Sequence, residues 1–236
     1  VSFYGEDLAY VHDAGFGKVA AAGAHELAAL LAIRGRAGGA VVELGVGSAI
    51  STRVLLDAGY HLAEFDVSKD MLALARARAP EAILRHGALL DVSPPPCVAV
   101  TAFGEAMNYF DAEPPRARAV SALFRRVHDA LEPRGVFLFD LAGPGAAARR
   151  GWTLGADWAV MHESTIVGAI LTRRIVAFRS LGNAYRRSEE VHRQYLWPAP
   201  IVAAMLREAG FRVAIRRGSG VVPLAPNVHA FRATRT

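Results

Sequence analysis

Ala40-Val41-Val42-Glu43-Leu44-Gly45-Val46-Gly47-Ser48-Ala49 is the stretch that decides the fold. An apolar run ends in an acid, and two glycines follow one residue apart. A short apolar run bounded by a turn signal reads as a buried strand. Ser51 to Ala58 then supports a helix. A glycine turn between a strand and a helix lets backbone N–H groups approach a bound ligand closely. The same residues also suit a tight turn with no ligand, and the next strand bears on the choice.

Twenty-three residues beyond Glu43 comes Asp66, in His61-Leu62-Ala63-Glu64-Phe65-Asp66-Val67-Ser68. His61 to Phe65 reads as a second strand, closed by Asp66. In an open α/β sheet, ligands sit outside the carboxyl ends of the strands. A carboxylate there can accept both hydroxyls of a ribose. The separation suits a dinucleotide as well as an adenosyl group. Asp66 or Ser68 could also merely cap the helix Lys69 to Ala79.

The alternation continues along the chain. Strands are expected at 40–44, 60–65, 81–86, 97–102 and 136–140, with helices at 50–58, 69–79 and 114–131. Lys18 to Arg34 precedes them as an amphipathic helix with Leu27, Leu30 and Leu31 on one face. Strands alternating with helices imply a parallel sheet with right-handed crossovers. After Gly143-Pro144-Gly145 the pattern changes. Trp152 to His162, Ile170 to Arg179 and Tyr185 to Trp197 alternate like strands, with turn signals at Gly168 and Gly182-Asn183. They predict an inserted antiparallel sheet of three strands. A helix over 199–209 follows, and Phe211 to Arg217 and Val228 to Ala233 return as the last strands of the main sheet. The expected architecture is α/β: a mostly parallel seven-stranded sheet with helices on both faces, in one domain over 1–236. It carries a leader segment, 1–16, and a cap sheet, 151–197.

Composition narrows the function classes. The chain has 236 residues, 53% hydrophobic and 21% charged, with a formal charge of +5. That length supports a sizeable core. No run approaches the roughly 18 apolar residues of a membrane span, and no secretion signal is visible, so a cytoplasmic protein with no membrane partner is expected. The arginines are scattered, which argues against nucleic acid. Cys97 is the only cysteine, so no internal disulfide forms, and it reads as a core thiol. No His and Cys spacing suggests a metal. A small-molecule substrate and a monomer or homodimer are expected.

Taken in order, these motifs resemble the class I, Rossmann-like S-adenosylmethionine-dependent methyltransferases of bacterial small-molecule type. The glycine turn is similar to their first motif, E/D-x-G-x-G-x-G, with Ala49 at the third glycine. Asp57-Ala58-Gly59-Tyr60, Asp66-Val67-Ser68-Lys69-Asp70-Met71-Leu72, Leu123-Phe124-Arg125-Arg126-Val127-His128, Leu131-Glu132-Pro133-Arg134-Gly135-Val136-Phe137-Leu138-Phe139-Asp140 and Ala209-Gly210-Phe211 extend the resemblance over most of the chain. It implies S-adenosylmethionine as cofactor. Glu43 would orient the loop or reach the methionyl amine, Gly45 and Gly47 would admit the cofactor, and Asp66, beside Val67, would take the ribose. Leu89 and Leu90 would lie at the adenine, where Ala88 stands in place of the usual acid. Ala49 adds a methyl that costs roughly 1 kcal/mol if φ is positive.

Phe103-Gly104-Glu105-Ala106-Met107-Asn108-Tyr109, just past the fourth strand, corresponds to the region that meets the reactive centre in that family. Phe103 would touch the cofactor. Asn108 and Tyr109 offer a carboxamide and a phenol, which can orient an amine or hydroxyl nucleophile. The leader, with Tyr4, Tyr10, His12, Asp13 and Phe16, resembles a lid whose aromatic faces attract a sulfonium. His12 could serve as a general base; the alternative is a helix packed on the sheet. In the cap, Trp152, Trp158, Arg173, Tyr185, Glu190, His192, Tyr195 and Trp197 form either an acceptor pocket or a solvated sheet face. The expected reaction is methyl transfer to a small molecule, leaving S-adenosylhomocysteine. One alternative is a cyclase resembling azetidine-2-carboxylate synthases, in which the α-amine attacks within S-adenosylmethionine and methylthioadenosine is released. The other is a non-catalytic binding protein of the same fold.

Overall fold

The computed structural model describes residues 3–110, 113–219 and 222–236. Residues 1 and 2 of the expected leader therefore lie outside the described residues. The chain opens with helices α1 (Glu6–Gly15) and α2 (Lys18–Ile33), which meet at a 58° bend. No single helix is long and apolar enough to cross a membrane among the described residues. Then follow β1 (Ala40–Leu44), α3 (Ile50–Asp57), β2 (His61–Asp66), α4 (Lys69–Arg78), β3 (Ile83–His86), β4 (Cys97–Ala102), α5 (Ala117–Ala130) and β5 (Leu131–Ala142). The cap comprises β6 (Arg150–Leu154), β7 (Trp158–Val167), β8 (Ile170–Leu181) and β9 (Ala184–Tyr195). Helix α6 (Ala199–Glu208), β10 (Phe211–Arg216), the short pair β11 (Gly218–Ser219) and β12 (Val222–Pro223), and β13 (Val228–Arg235) complete it.

The main sheet has seven strands in the order β10-β13-β5-β4-β1-β2-β3. β5, β4, β1, β2 and β3 run parallel, and β13 pairs antiparallel with both β5 and β10. Sequence alternation sets the two faces, because side chains on a strand point to opposite sides in turn. Phe137 and Phe139 of β5 pack with Phe124 of α5, Phe231 of β13, and Val202 and Leu206 of α6. Val136 and Leu138, between them in sequence, pack instead with Leu27 and Leu31 of α2 and Leu55 of α3. Both faces are covered, as a parallel sheet requires.

Two boundaries differ from expectation. The last helix before β5 ends at Ala130, and the strand begins at Leu131, not at 136. The segment Glu132-Pro133-Arg134-Gly135 bulges out of β5, between Leu131 paired with Cys97 and Val136 paired with Ala99. Arg134 there has φ 64°, and proline inside a sheet is tolerated at such bulges. The cap, second, has four antiparallel strands in the order β6-β7-β8-β9, not three. The expected strand Trp152 to His162 folds back at Gly155-Ala156-Asp157, where Gly155 N donates to Trp158 O at 2.8 Å. The Trp158 ring lies where a Cβ on residue 155 would be, 2.2 Å from its nearest ring atoms, so this position excludes a side chain.

Helix α1 is packed on the cap. Its Leu8 and Val11 form one cluster with Trp158, Val160, Ile175 and Ala177. Asp7, buried beneath it, accepts from Arg186 through both carboxylate oxygens.

Candidate active site

The carboxyl ends of β1, β2 and β4 open into a cavity of about 450 Å³. Gly45 has φ +76°, and a Cβ there would come 2.7 Å from the Ala106 methyl. The turn thus passes against the end of β4 in a conformation and a space that fit glycine. Gly45 N and Val46 N donate to Phe65 O, at 2.7 and 3.1 Å, which ties the turn to β2. Gly47 N donates to Asp66 Oδ2, and Ser68 N to Asp66 Oδ1, each at 2.8 Å. The cap of α4 is Ser68, whose Oγ accepts from Met71 N. Asp66 is therefore left facing the cavity, with lone pairs remaining on each oxygen. Burial raises its pKa, while the two backbone donors favour its charged form.

Behind the turn, Glu43 and Glu64 stand opposite each other on β1 and β2. Glu43 accepts from Thr52 Oγ1 at 2.7 Å and from Thr101 Oγ1 at 3.2 Å, and it lines the cavity. Burial, and then the charge of Glu43, push Glu64 up to about 9. At neutral pH Glu64 is held as a neutral acid. The Glu43 carboxylate is held in place by two hydroxyls at the end of β1.

The leader forms the opposite wall. Tyr4 N and Gly5 N both donate to the Glu190 carboxylate, at 2.8 and 2.9 Å. Ser68 Oγ donates to Tyr4 O at 2.8 Å, so the segment is pinned to both the cap and the start of α4. Tyr4 and Tyr109 share a hydroxyl–hydroxyl hydrogen bond of 2.9 Å, and the Tyr4 ring lies edge-on to His12 and His192. Burial raises the pKa of both phenols, so they stay protonated at neutral pH. His12 is held below its usual value by burial, against the opposing charge of Asp13. Its Nδ1 is buried with no hydrogen-bond partner among the described residues, which leaves a neutral imidazole at the cavity wall.

Of the residues singled out from sequence, Tyr4, His12, Glu43, Gly45, Gly47, Asp66, Val67, Leu89, Leu90, Phe103 and Tyr109 all line this one cavity. Asn108 and Tyr10 do not. The Asn108 carboxamide donates to Ala142 O and Tyr195 O and accepts from Ala142 N. It clamps β5 to the end of β9 and is fully buried, off the cavity wall. The Tyr10 hydroxyl donates to Asp157 at 2.5 Å, and its ring lies 3.9 Å from the Arg179 guanidinium. It belongs to the seam between α1 and the cap. Asp140 escaped notice as a site residue. Its carboxylate accepts from Gly104 N and Glu105 N, at 2.9 and 2.8 Å, and shapes the turn that leads to Tyr109. The acid closing the fifth strand was its only signal. Burial pushes it up to about 7. Among the described residues no group of three His, Cys, Asp or Glu side chains is placed to hold a metal.

Residues 42–139 match the family described as methyltransferase domain. No curated protein matches the chain in sequence. Solved structures similar to it include an S-adenosylmethionine-dependent methyltransferase from Clostridium acetobutylicum, with a TM-score of 0.81 over 96% of this chain and 97% of that one, at 14% identity. An amino pentose methyltransferase from Micromonospora echinaspora, solved with S-adenosylmethionine bound, has a TM-score of 0.78 over 100% and 99%, at 18% identity. A sugar N-methyltransferase from Streptoalloteichus has a TM-score of 0.77 over 100% and 96%, also at 18% identity. The chain thus has the class I, Rossmann-like fold of these methyltransferases, and its residues 42–139 match the methyltransferase-domain family.

Proposed function

We propose that the protein binds S-adenosylmethionine in the 450 Å³ cavity and directs its methyl to a small-molecule acceptor. The observation that carries this reading is Asp66: a carboxylate at the end of β2, bonded to the glycine turn through Gly47 N and released from capping duty by Ser68. The fit is supported by the donor set. Asp66 would accept the ribose hydroxyls, Glu43 would meet the methionyl amine, and Leu89 and Leu90 would flank the base. Bound S-adenosylmethionine supplies a methyl on a sulfonium, already activated for attack.

The chain's own work is then alignment and exclusion of water, which can supply much of a rate enhancement. Tyr109 and Tyr4, neutral and bonded to each other, orient the acceptor. The neutral His12, with a free Nδ1, takes the proton that the acceptor releases. The leader, pinned by Glu190 and Ser68, closes the cavity. Acceptors of the amino sugar class are the first to try, given the activities of the sugar methyltransferases with this fold.

A second reading has one observation in its favour. The wall of Phe3, Tyr4 and Tyr109 is aromatic and bonded to itself, and offers an incoming acceptor no charged partner. Such a wall suits ring closure within S-adenosylmethionine. Incubation with S-adenosylmethionine alone, read by mass spectrometry, separates the cases. S-adenosylhomocysteine formed only with an added amino sugar supports methyl transfer; methylthioadenosine formed without acceptor supports cyclisation. For the binding site, Asp66→Ala should weaken S-adenosylmethionine binding by about 1–3 kcal/mol in calorimetry. Unchanged affinity would remove Asp66 from the site.

A further inference from the structure

A second, smaller cavity of about 110 Å³ lies between the cap and the end of β5. Its wall holds Arg149, Arg173, His162, Gln194 and Glu105. Arg149 is held beside β7, its N donating to Ser164 Oγ and its O accepting from Ser164 N. Arg173 on β8 is paired with the same Ser164 on one side and with His192 of β9 on the other. Neither guanidinium makes an ion pair or a hydrogen bond among the described residues, although the cap arginines at 150, 174, 179, 186 and 187 are paired and Arg193, likewise without an ion pair among the described residues, is exposed to solvent. The single acid in the wall, Glu105, accepts from Gln194 Nε2 at 3.0 Å. Two arginines with one carboxylate leave the pocket with a net positive charge. The proximity is felt by His162, whose pKa is lowered by burial and then by the charges of Arg173 and Arg149.

The two cavities are neighbours. Tyr109 lines the first, and its backbone bridges to Gln194, which lines the second. Arg173 is close enough to lower the pKa of both Tyr4 and Tyr109 by its charge, against the stronger effect of burial. We propose that the second cavity is an oxyanion subsite for the methyl acceptor, in which Arg149 and Arg173 grip a carboxylate or phosphate of that molecule. Forked guanidinium donors suit either group. Anchored there, the acceptor would project its nucleophile past Tyr109 toward the larger cavity. The aromatic wall offers no charge to hold an acceptor, and the arginines behind it supply that hold. This inference rests on the methyl-transfer reading for the word acceptor, but not for the binding itself.

Calorimetric titrations of inorganic phosphate and of acetate, at constant ionic strength, test it on the whole chain. The wild-type protein should bind at least one of them saturably. Tighter phosphate points to a phosphorylated acceptor, and tighter acetate to a carboxylate. Arg149→Gln with Arg173→Gln should weaken that binding by about tenfold or more, because two charge-assisted contacts are lost. Arg173→Lys alongside native Arg149 should restore part of it. S-adenosylmethionine affinity, measured on the same preparations, should stay within about twofold of wild type and verifies that the variants are folded. Absence of saturable anion binding to the wild type, or equal binding to the double variant, overturns the subsite. Loss of S-adenosylmethionine binding in the wild type would instead sink the methyl-transfer reading, with the anion result still legible.

Discussion

Ala49 carries its methyl at φ 61° and ψ 34°, in left-handed backbone that the glycine it replaces would adopt freely. That conformation costs a residue with a Cβ roughly 1–2 kcal/mol. The methyl is fully buried beside Val46 and Leu72, and one buried methyl recovers about 0.8 kcal/mol. The two effects nearly cancel, so Ala49→Gly should change stability by less than about 1 kcal/mol in denaturant unfolding; a larger shift either way would show that strain or packing dominates. Glu64 gives a pH-dependent prediction. Its carboxyl titrates near 9 in the folded chain against an ordinary 4.5, so the folded state holds a proton that the unfolded state releases across that window. The stabilising effect is complete below about pH 4.5 and is lost as the pH rises toward 9. Glu64→Gln cannot lose that proton. Its stability should therefore fall less than that of wild type as the pH rises from about 5 to about 8 in chemical denaturation. A difference between the two that is independent of pH would contradict the assignment. Asp66 and Gly45 were legible in the sequence because strand-end spacing fixes where backbone and carboxylate meet. Asn108 was not, since nothing in its neighbourhood tells that the backbone of Ala142 and Tyr195 arrives to occupy its carboxamide.

At element scale one carboxylate anchors the start of the leader to the cap. Glu190 accepts from two successive backbone N–H groups at Tyr4 and Gly5 and also bonds His192 Nε2 at 2.7 Å. Two backbone donors aimed at one charged acceptor form a strong local anchor. Glu190→Ala should speed hydrogen exchange at the start of the leader, around Tyr4 and Gly5, while the β1 amides stay protected; exchange that does not change would mean that α1 packing alone holds the segment. The same variant should lower turnover more than S-adenosylmethionine affinity if the leader excludes water from the reacting atoms. The strand–helix alternation through β5 could be read from sequence because each element has its own period. The fourth cap strand could not, because Gly155 works through close contact with Trp158, and a lone glycine inside an alternating run does not announce a hairpin. The early start of β5 was hidden for a similar reason: Pro133 argues against a strand unless it stands in a bulge, and only the pairing of Leu131 with Cys97 and of Val136 with Ala99 shows that residues 132–135 bulge out of β5.

At the scale of the molecule, the cap is joined to the parallel sheet at several separate points. Asn108 ties β5 to β9. Trp197, at the exit from the cap, lies in the main core with Phe139 and Phe231. Helix α1, packed on β7 and β8, reaches across to α4 through the Asp13–Arg78 ion pair at 2.7 Å. Separating the cap would uncover all of these together, along with the wall of the larger cavity. Local opening at low free energy needs few buried contacts, and this junction is rich in them. The chain should therefore unfold in one calorimetric transition whose measured enthalpy equals its van't Hoff enthalpy. S-adenosylmethionine at about 100 times its Kd should raise that whole transition by the equivalent of about 2.7 kcal/mol. Asn108→Ala takes away the side-chain acceptor of the buried Ala142 N, which costs about 1–3 kcal/mol and should lower the midpoint without splitting the peak. Two resolved transitions in the wild type, with only the second responding to S-adenosylmethionine, would mean that the cap folds apart from the sheet. The shared aromatic wall could not then be a preformed feature of the site.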